Sequence, residues 1–76
     1  MQKIRLQGIG WYNAVEAKSV IVGDTIIHNF GETSDVVSIL PSKSGKTINY
    51  TVRCKNGKLY ERKTTPNRLF AVKRVN

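Results

Sequence analysis

A single cysteine, Cys54, and a single histidine, His28, are the only soft metal ligands in the chain. One thiol closes no internal disulfide, and one imidazole beside it builds no tetrahedral metal site. A lone thiol also suits a reducing compartment. Acids are scarce as well, with Glu16, Asp24, Glu32, Asp35 and Glu61 as the full set. They are too few and too scattered to pair for general acid–base work or to ring a hard cation. Only two prolines occur, Pro41 and Pro66. No stretch approaches the ~20 apolar residues of a membrane span, and no apolar run of signal-peptide length follows Met1. These shortages lead to an expectation of a cytoplasmic binding protein that is not an enzyme. It should carry no catalytic residues, metal or cofactor, act on no small-molecule substrate, and avoid the membrane.

What the chain does have is positive charge, and it is unevenly placed. Residues 43–76 carry ten basic side chains and one acid, a net of +9, whereas residues 1–42 carry three and four, a net of −1. Such an asymmetry raises the local potential and attracts polyanions.

The 76 residues suffice for one domain, spanning 1–76. So short a chain buries only about 60 % of its unfolded surface. Homo-oligomerisation therefore stays open as a source of stability. Repeats, linkers and low-complexity tracts are absent.

The pattern reads as strands. Lys3–Gln7 alternates polar and apolar, and Gly8-Ile9-Gly10 breaks it. Asn13–Lys18 allows one helical turn capped by Asn13, and residues 8–22 as a whole carry the least readable pattern. Val22-Gly23-Asp24 is a tight turn, with Asp24 bonding its own backbone. It leads into a strand over Thr25–Phe30. Asp35–Leu40 is β-branched and apolar, hence a mostly buried strand. Ser42–Lys46 is a turn.

Thr47–Lys55 alternates cleanly, with Ile48, Tyr50, Val52 and Cys54 on one face. Asn56-Gly57 predicts a two-residue hairpin turn. The return strand is Lys58–Lys63. After a turn at Thr64–Asn67, with room for one helical turn, Leu69–Lys73 forms the last strand. The sum is an all-β chain of five or six strands with at most one short helical turn. Closure into a barrel would remove the exposed edges.

The two-residue turn places Arg53 opposite Tyr60, Cys54 opposite Leu59 and Thr51 opposite Arg62. Tyr50, Val52, Cys54 and Leu59 then form the core side, joined by Glu61 and Lys63 where the strand leaves the core. Asn49, Thr51, Arg53, Lys55, Lys58, Tyr60 and Arg62 form the outer side. That outer face holds four cations and a ring but no acid. Arg53 and Tyr60 are placed to stack as a cross-strand pair. Cations contact phosphates, and the ring packs on a base or sugar. Lys43 and Lys46 in the preceding turn extend the positive surface. The opposing reading is a solvated face whose lysines protect an edge.

Other features read as structural. Ser42–Thr47 contains Gly-Lys-Thr, but Leu40 stands where a phosphate-cradling loop needs glycine, so nucleotide hydrolysis is excluded. His28 alternates with Ile26 and Phe30 as a packed or surface residue, and Cys54 beside Val52 is core. Trp11 and Tyr12 are expected to plug the barrel, the alternative being part of an exposed aromatic patch.

The run of short strands resembles Src-homology-3-like (SH3-like) small barrels at fold level. The residues that carry the likeness are Val22-Gly23-Asp24, Asn56-Gly57 and the Thr64-Thr65-Pro66-Asn67 turn before the last strand. Gly23-Asp24-Thr25-Ile26 through Lys58-Leu59-Tyr60-Glu61-Arg62-Lys63 is similar to short uncharacterised proteins carried by bacteriophages and prophages. The resemblance covers about two thirds of the chain and implies a small five- to six-stranded barrel. It implies no activity, because small barrels bind DNA, RNA, peptides and protein surfaces alike.

Two functional expectations follow. One is a module that binds nucleic acid, or another polyanion, through Arg53, Lys55, Lys58, Tyr60, Arg62, Lys43 and Lys46. The other is a phage-encoded regulator or inhibitor that docks on an acidic host-protein surface.

Overall fold

A computed structural model of the chain describes residues 2–73. The architecture is all-β. Seven strands are β1 Gln2–Leu6, β2 Gly10–Glu16, β3 Thr25–Ile27, β4 Thr33–Pro41, β5 Ile48–Cys54, β6 Leu59–Thr64 and β7 Leu69–Lys73. They form one antiparallel sheet in the order β1-β2-β7-β3-β4-β5-β6. The sheet is open. Strands β1 and β6 end it, and no ladder among the described residues joins them. No helix among the described residues is long and apolar enough to cross a membrane.

The strand beyond the expected six is β2. Of the helical turn expected over Asn13–Lys18, only Ala17 and Lys18 are helical, in a 3-10 turn, and Asn13 to Glu16 are strand. Ladders on both sides decide this. Asn13 faces Lys3 on β1, while Val15 and Glu16 face Phe70 and Leu69 on β7. Each of these residues has a ladder partner on β1 or β7, and Ala14 on both, whereas one isolated helical turn satisfies few of its own backbone groups. Instead of at most one helical turn there are two 3-10 turns, Ala17–Ser19 and Asn29–Gly31. The second takes the end of the strand expected over Thr25–Phe30. Phe30 sits there at φ 63°, a left-handed conformation that ends any strand.

Spacing explains β4. Val36 and Ile39 both pack into the core although three positions separate them. A bulge between Val36 and Ser38 reconciles this with the two-residue period of a strand.

The core comprises Ala17, Val20, Ile26, Val36, Ile48, Tyr50, Val52 and Phe70. Tyr50 is its centre, 1 % exposed, with its ring edge-on to Phe70 at 6.0 Å and 89°. Its hydroxyl donates to the Ala17 carbonyl. Ala17 and Lys18 in turn donate from their backbone N–H groups to Arg68 and Pro66. Asp24 is buried, and its carboxylate accepts from the Ile21 N–H at 3.0 Å. That matches the turn role expected for it. Trp11 does not plug the interior, since it is 67 % exposed. Its partner in register is Arg5, while Leu6 and Ala14 take the buried positions of that hairpin.

The hairpin register differs by one residue from the expectation. Arg53 faces Leu59, Val52 faces Tyr60, Thr51 faces Glu61 and Tyr50 faces Arg62. The loop holds three residues, Lys55-Asn56-Gly57. Gly57 donates to the Cys54 carbonyl at 2.9 Å, and the Cys54 N–H donates to Lys58 at 3.0 Å. Gly57 has φ 81°, whereas Asn56 stays at negative φ. This is a type I turn closed by a left-handed glycine, not the type I′ turn in which both residues have positive φ. A one-residue slip moves every β6 side chain to the other face.

Two outcomes test this arrangement. In a Cys54→Ala background, Thr51→Cys with Glu61→Cys should oxidise readily to a disulfide. That pair is a non-hydrogen-bonded one, with Cα atoms about 4.5 Å apart. Thr51→Cys with Arg62→Cys should not, and the reverse result would restore the two-residue turn. Asp24→Ala should cost about 1–3 kcal/mol by removing the buried carboxylate that holds the turn through the part-buried Ile21 N–H. In a domain this small that lowers Tm by roughly 4–8 °C per kcal/mol. An unchanged melting curve would mean the carboxylate contributes nothing.

Candidate functional site

The register builds the site. Tyr50 and Val52 point into the core, so the residues facing them, Arg62 and Tyr60, lie on the same side of the sheet. Strand β6 extends past the core, and Leu59 to Lys63 are all exposed. Tyr60 and Arg62 thus border a cleft instead of filling the interior. The cleft measures about 690 Å³. Lys55 and Asn56 close one end, Val52 and Cys54 form part of its floor, and His28, Glu32, Thr33 and Ser34 form the wall opposite β6.

Polar side chains connect the wall to the floor. His28 Nε2 and Ser34 Oγ are 2.9 Å apart, and Ser34 Oγ lies 3.8 Å from Cys54 Sγ. Burial and the nearby Arg62 guanidinium lower the His28 pKa from its ordinary 6.5, with Glu32 opposing them. His28 is therefore a neutral imidazole at neutral pH, able both to donate and to accept.

A second cleft of about 370 Å³ shares His28, Glu32 and Arg62 with the first. It continues past Asn29, Phe30 and Arg68 to Ile4 and Leu6 of β1. The sheet curls until β6 and β1, its two edges, border one groove. Three cations, Lys55, Arg62 and Arg68, and two exposed rings, Tyr60 and Phe30, line the joined clefts, with Glu32 as the acid. Phe30 is held there by its backbone. Its N–H donates to the Gln7 carbonyl at 2.6 Å, and Asn29 Oδ1 accepts from the Gln7 N–H. Gly8 lets the ring approach, since a Cβ there would meet Phe30 Cδ1 at 2.7 Å.

The residues expected to act together are divided among several places. Lys55, Tyr60 and Arg62 line the first cleft. Lys58 shares their side of the hairpin, opposite Cys54, but does not line the cleft. Arg53 lies on the other side, with Asp35 and Leu59 as its cross-strand neighbours. The Arg53–Tyr60 stack is therefore overturned, and the one-residue register difference is the cause. Leu59, expected in the core, is 56 % exposed. Glu61 and Lys63, expected on the core side, face Thr51 and Asn49 on the outer side. Lys43 and Lys46 sit in the β4–β5 turn, at the opposite end of β5 from Lys55. Seven strand residues at about 3.3 Å each separate them. Cys54 is half-buried and forms part of the cleft floor.

The sequence reading did not assign Ser34, Phe30 or Arg68 to a site, and His28 was set aside. Only Phe30 carried a local signal, the adjoining Asn29 and Gly31 that favour a left-handed turn. Among the described residues no group of His, Cys, Asp and Glu is arranged to hold a metal ion. Comparison with known protein families, curated proteins and solved structures returned no match.

The His28 environment makes a direct prediction. Its NMR titration midpoint should lie below 6.5. Arg62→Ala should raise it and Glu32→Gln should lower it. A proton is bound less readily in the folded state, so acid favours unfolding. Stability should be unaffected above pH 6.5 and should decline as pH falls from 6.5 towards the folded midpoint. A midpoint unmoved by Arg62→Ala would separate the two side chains.

Proposed function

We propose that this protein binds single-stranded nucleic acid along the joined clefts. The observation behind the reading is the alternation of cations and exposed rings in one groove, Lys55, Tyr60, Arg62, Phe30 and Arg68. A basic groove that follows the phosphates, with rings on which bases stack, binds single strands with little sequence preference. Tyr60 offers a ring face to a base. Arg62 and Lys55 offer donors to the flanking phosphates, Arg62 through its two-pronged fork. Among the described residues the one ion pair is Lys18–Glu16, so none of the three groove cations is neutralised by a carboxylate within 4 Å. Neutral His28 supplies a hydrogen-bonding edge in the wall opposite β6. The finer fold reading, an SH3-like small barrel, belongs to the same proposal. It is supported by the all-antiparallel order and by the groove that β1 and β6 share.

A second reading has its own observation. Strand β6 ends the sheet with an outer edge that no strand among the described residues pairs, and with exposed side chains on both faces. An extended segment of an acidic partner protein can add to such an edge. That is the surface a docking regulator of phage origin would use.

Fluorescence anisotropy of labelled oligo(dT) decides between them. Binding should fall linearly in log–log with salt, with a slope of about −0.7 per phosphate contacted. Tyr60→Ala should weaken it about tenfold, the loss of one stacked base. Arg62→Ala should weaken it and flatten the salt slope by about one phosphate. Lys43→Ala with Lys46→Ala, at the far end of β5, should change affinity by less than about twofold. No binding at about 50 mM salt would eliminate this reading and leave the β6 edge as the candidate surface.

A further inference from the structure

The strongest feature outside the groove is the β1–β2 hairpin. Its register pairs Arg5 with Trp11 and Lys3 with Asn13. Strand alternation sets these four on one face, and all four are exposed. The intervening positions Ile4, Leu6, Tyr12 and Ala14 are partly or fully buried on the other face. The hairpin therefore presents its largest ring outward while smaller apolar residues cover the interior. Exposing an indole forgoes the burial that a 76-residue domain has little of. The ring face is also uncovered. Among the described residues the guanidinium seen over a ring is that of Arg68 over Phe70, not Arg5 over Trp11. No acid lies on this face of the hairpin, whose charged side chains are Lys3 and Arg5.

We propose that Trp11, Arg5 and Lys3 form a second stacking platform, which takes an unpaired base on the indole and its phosphate on Arg5. The face combines a flat ring with two cations that have no ion pair among the described residues, which complements a stacked base carrying a negative backbone. The platform is separate from the groove. Residues Ile4 and Leu6, on the reverse side of the same hairpin, are the ones that border the groove. The two sites share only the class of ligand. A protein with both is bivalent and can hold two segments of strand at once.

Trp11 is the only tryptophan, so intrinsic emission reports this site alone. The chain is titrated with (dT)6, while anisotropy of the labelled oligonucleotide reports total binding. Saturable quenching and two oligonucleotides per chain are expected. With Tyr60→Ala and Arg62→Ala combined, quenching should persist and the stoichiometry should fall to one. Arg5→Ala should weaken quenching about tenfold, as for one charged contact, without changing the groove. Trp11→Ala should remove one site while the melting curve stays in place, because the side chain is exposed.

Anisotropy binding at one per chain without quenching would overturn the second platform and leave the groove reading intact. Quenching that vanishes with the groove variant would show one site, not two. No binding by either readout would remove both readings. Emission that responds to anionic phospholipid vesicles and not to (dT)6 would assign the face to a lipid surface and overturn the proposal.

Discussion

The buried Tyr50 side chain is the constraint on which the rest of the structure depends. It sits on β5, yet its ring packs edge-on against Phe70 of β7, and its hydroxyl donates to Ala17 beyond the end of β2. One side chain thus ties the β4–β6 half of the sheet to the β2–β7 half. Burial raises the Tyr50 pKa above its ordinary 10.0, so the phenol keeps its proton and remains a donor. The Ala17 carbonyl accepts from the Val20 N–H within its 3-10 turn, and the phenol supplies a second donor to the same oxygen. Ring and hydroxyl together fix which face of β5 is inside.

The inward face of β5 then propagates through the hairpin. The three-residue loop pairs Tyr50 with Arg62 and Val52 with Tyr60. A core strand is thereby bordered by a strand that carries a cation and a ring on the core side. Strand β6 lies beyond the reach of the core cluster, so those side chains are solvated and edge a groove. The same register carries Arg53 to the opposite surface. A single turn geometry therefore decides which cations act on one ligand and which belong to a separate face.

Charge is distributed accordingly. The basic excess of the second half of the chain does not collect into one patch. Part of it lines the groove, part lies on the outer side of β5 and β6, and part occupies the β4–β5 turn. Such spreading raises the potential around the whole molecule and favours encounter with any polyanion. Short-range fit then depends on where rings accompany the cations. That happens in the groove and on the β1–β2 hairpin.

The sequence by itself determined the all-β class, most strand positions and the turn role of Asp24. Each follows from local rules: alternation over Thr47–Lys55, β-branched residues over Asp35–Leu40, and glycine or asparagine at the breaks. It also showed that the second half of the chain is basic. Strand β2 was illegible, because Asn13 to Glu16 carries no clean alternation and becomes strand only between two neighbours. Only the tertiary structure decided the hairpin register, the exposure of Trp11 and the meeting of His28, Ser34 and Arg62 in one cleft. Asn-Gly is compatible with a two-residue loop and, with its glycine in the left-handed position, with a three-residue one. Both loops leave Tyr50 and Val52 in the core and differ only in which β6 side chains share their face, and the alternation along β5 does not encode that.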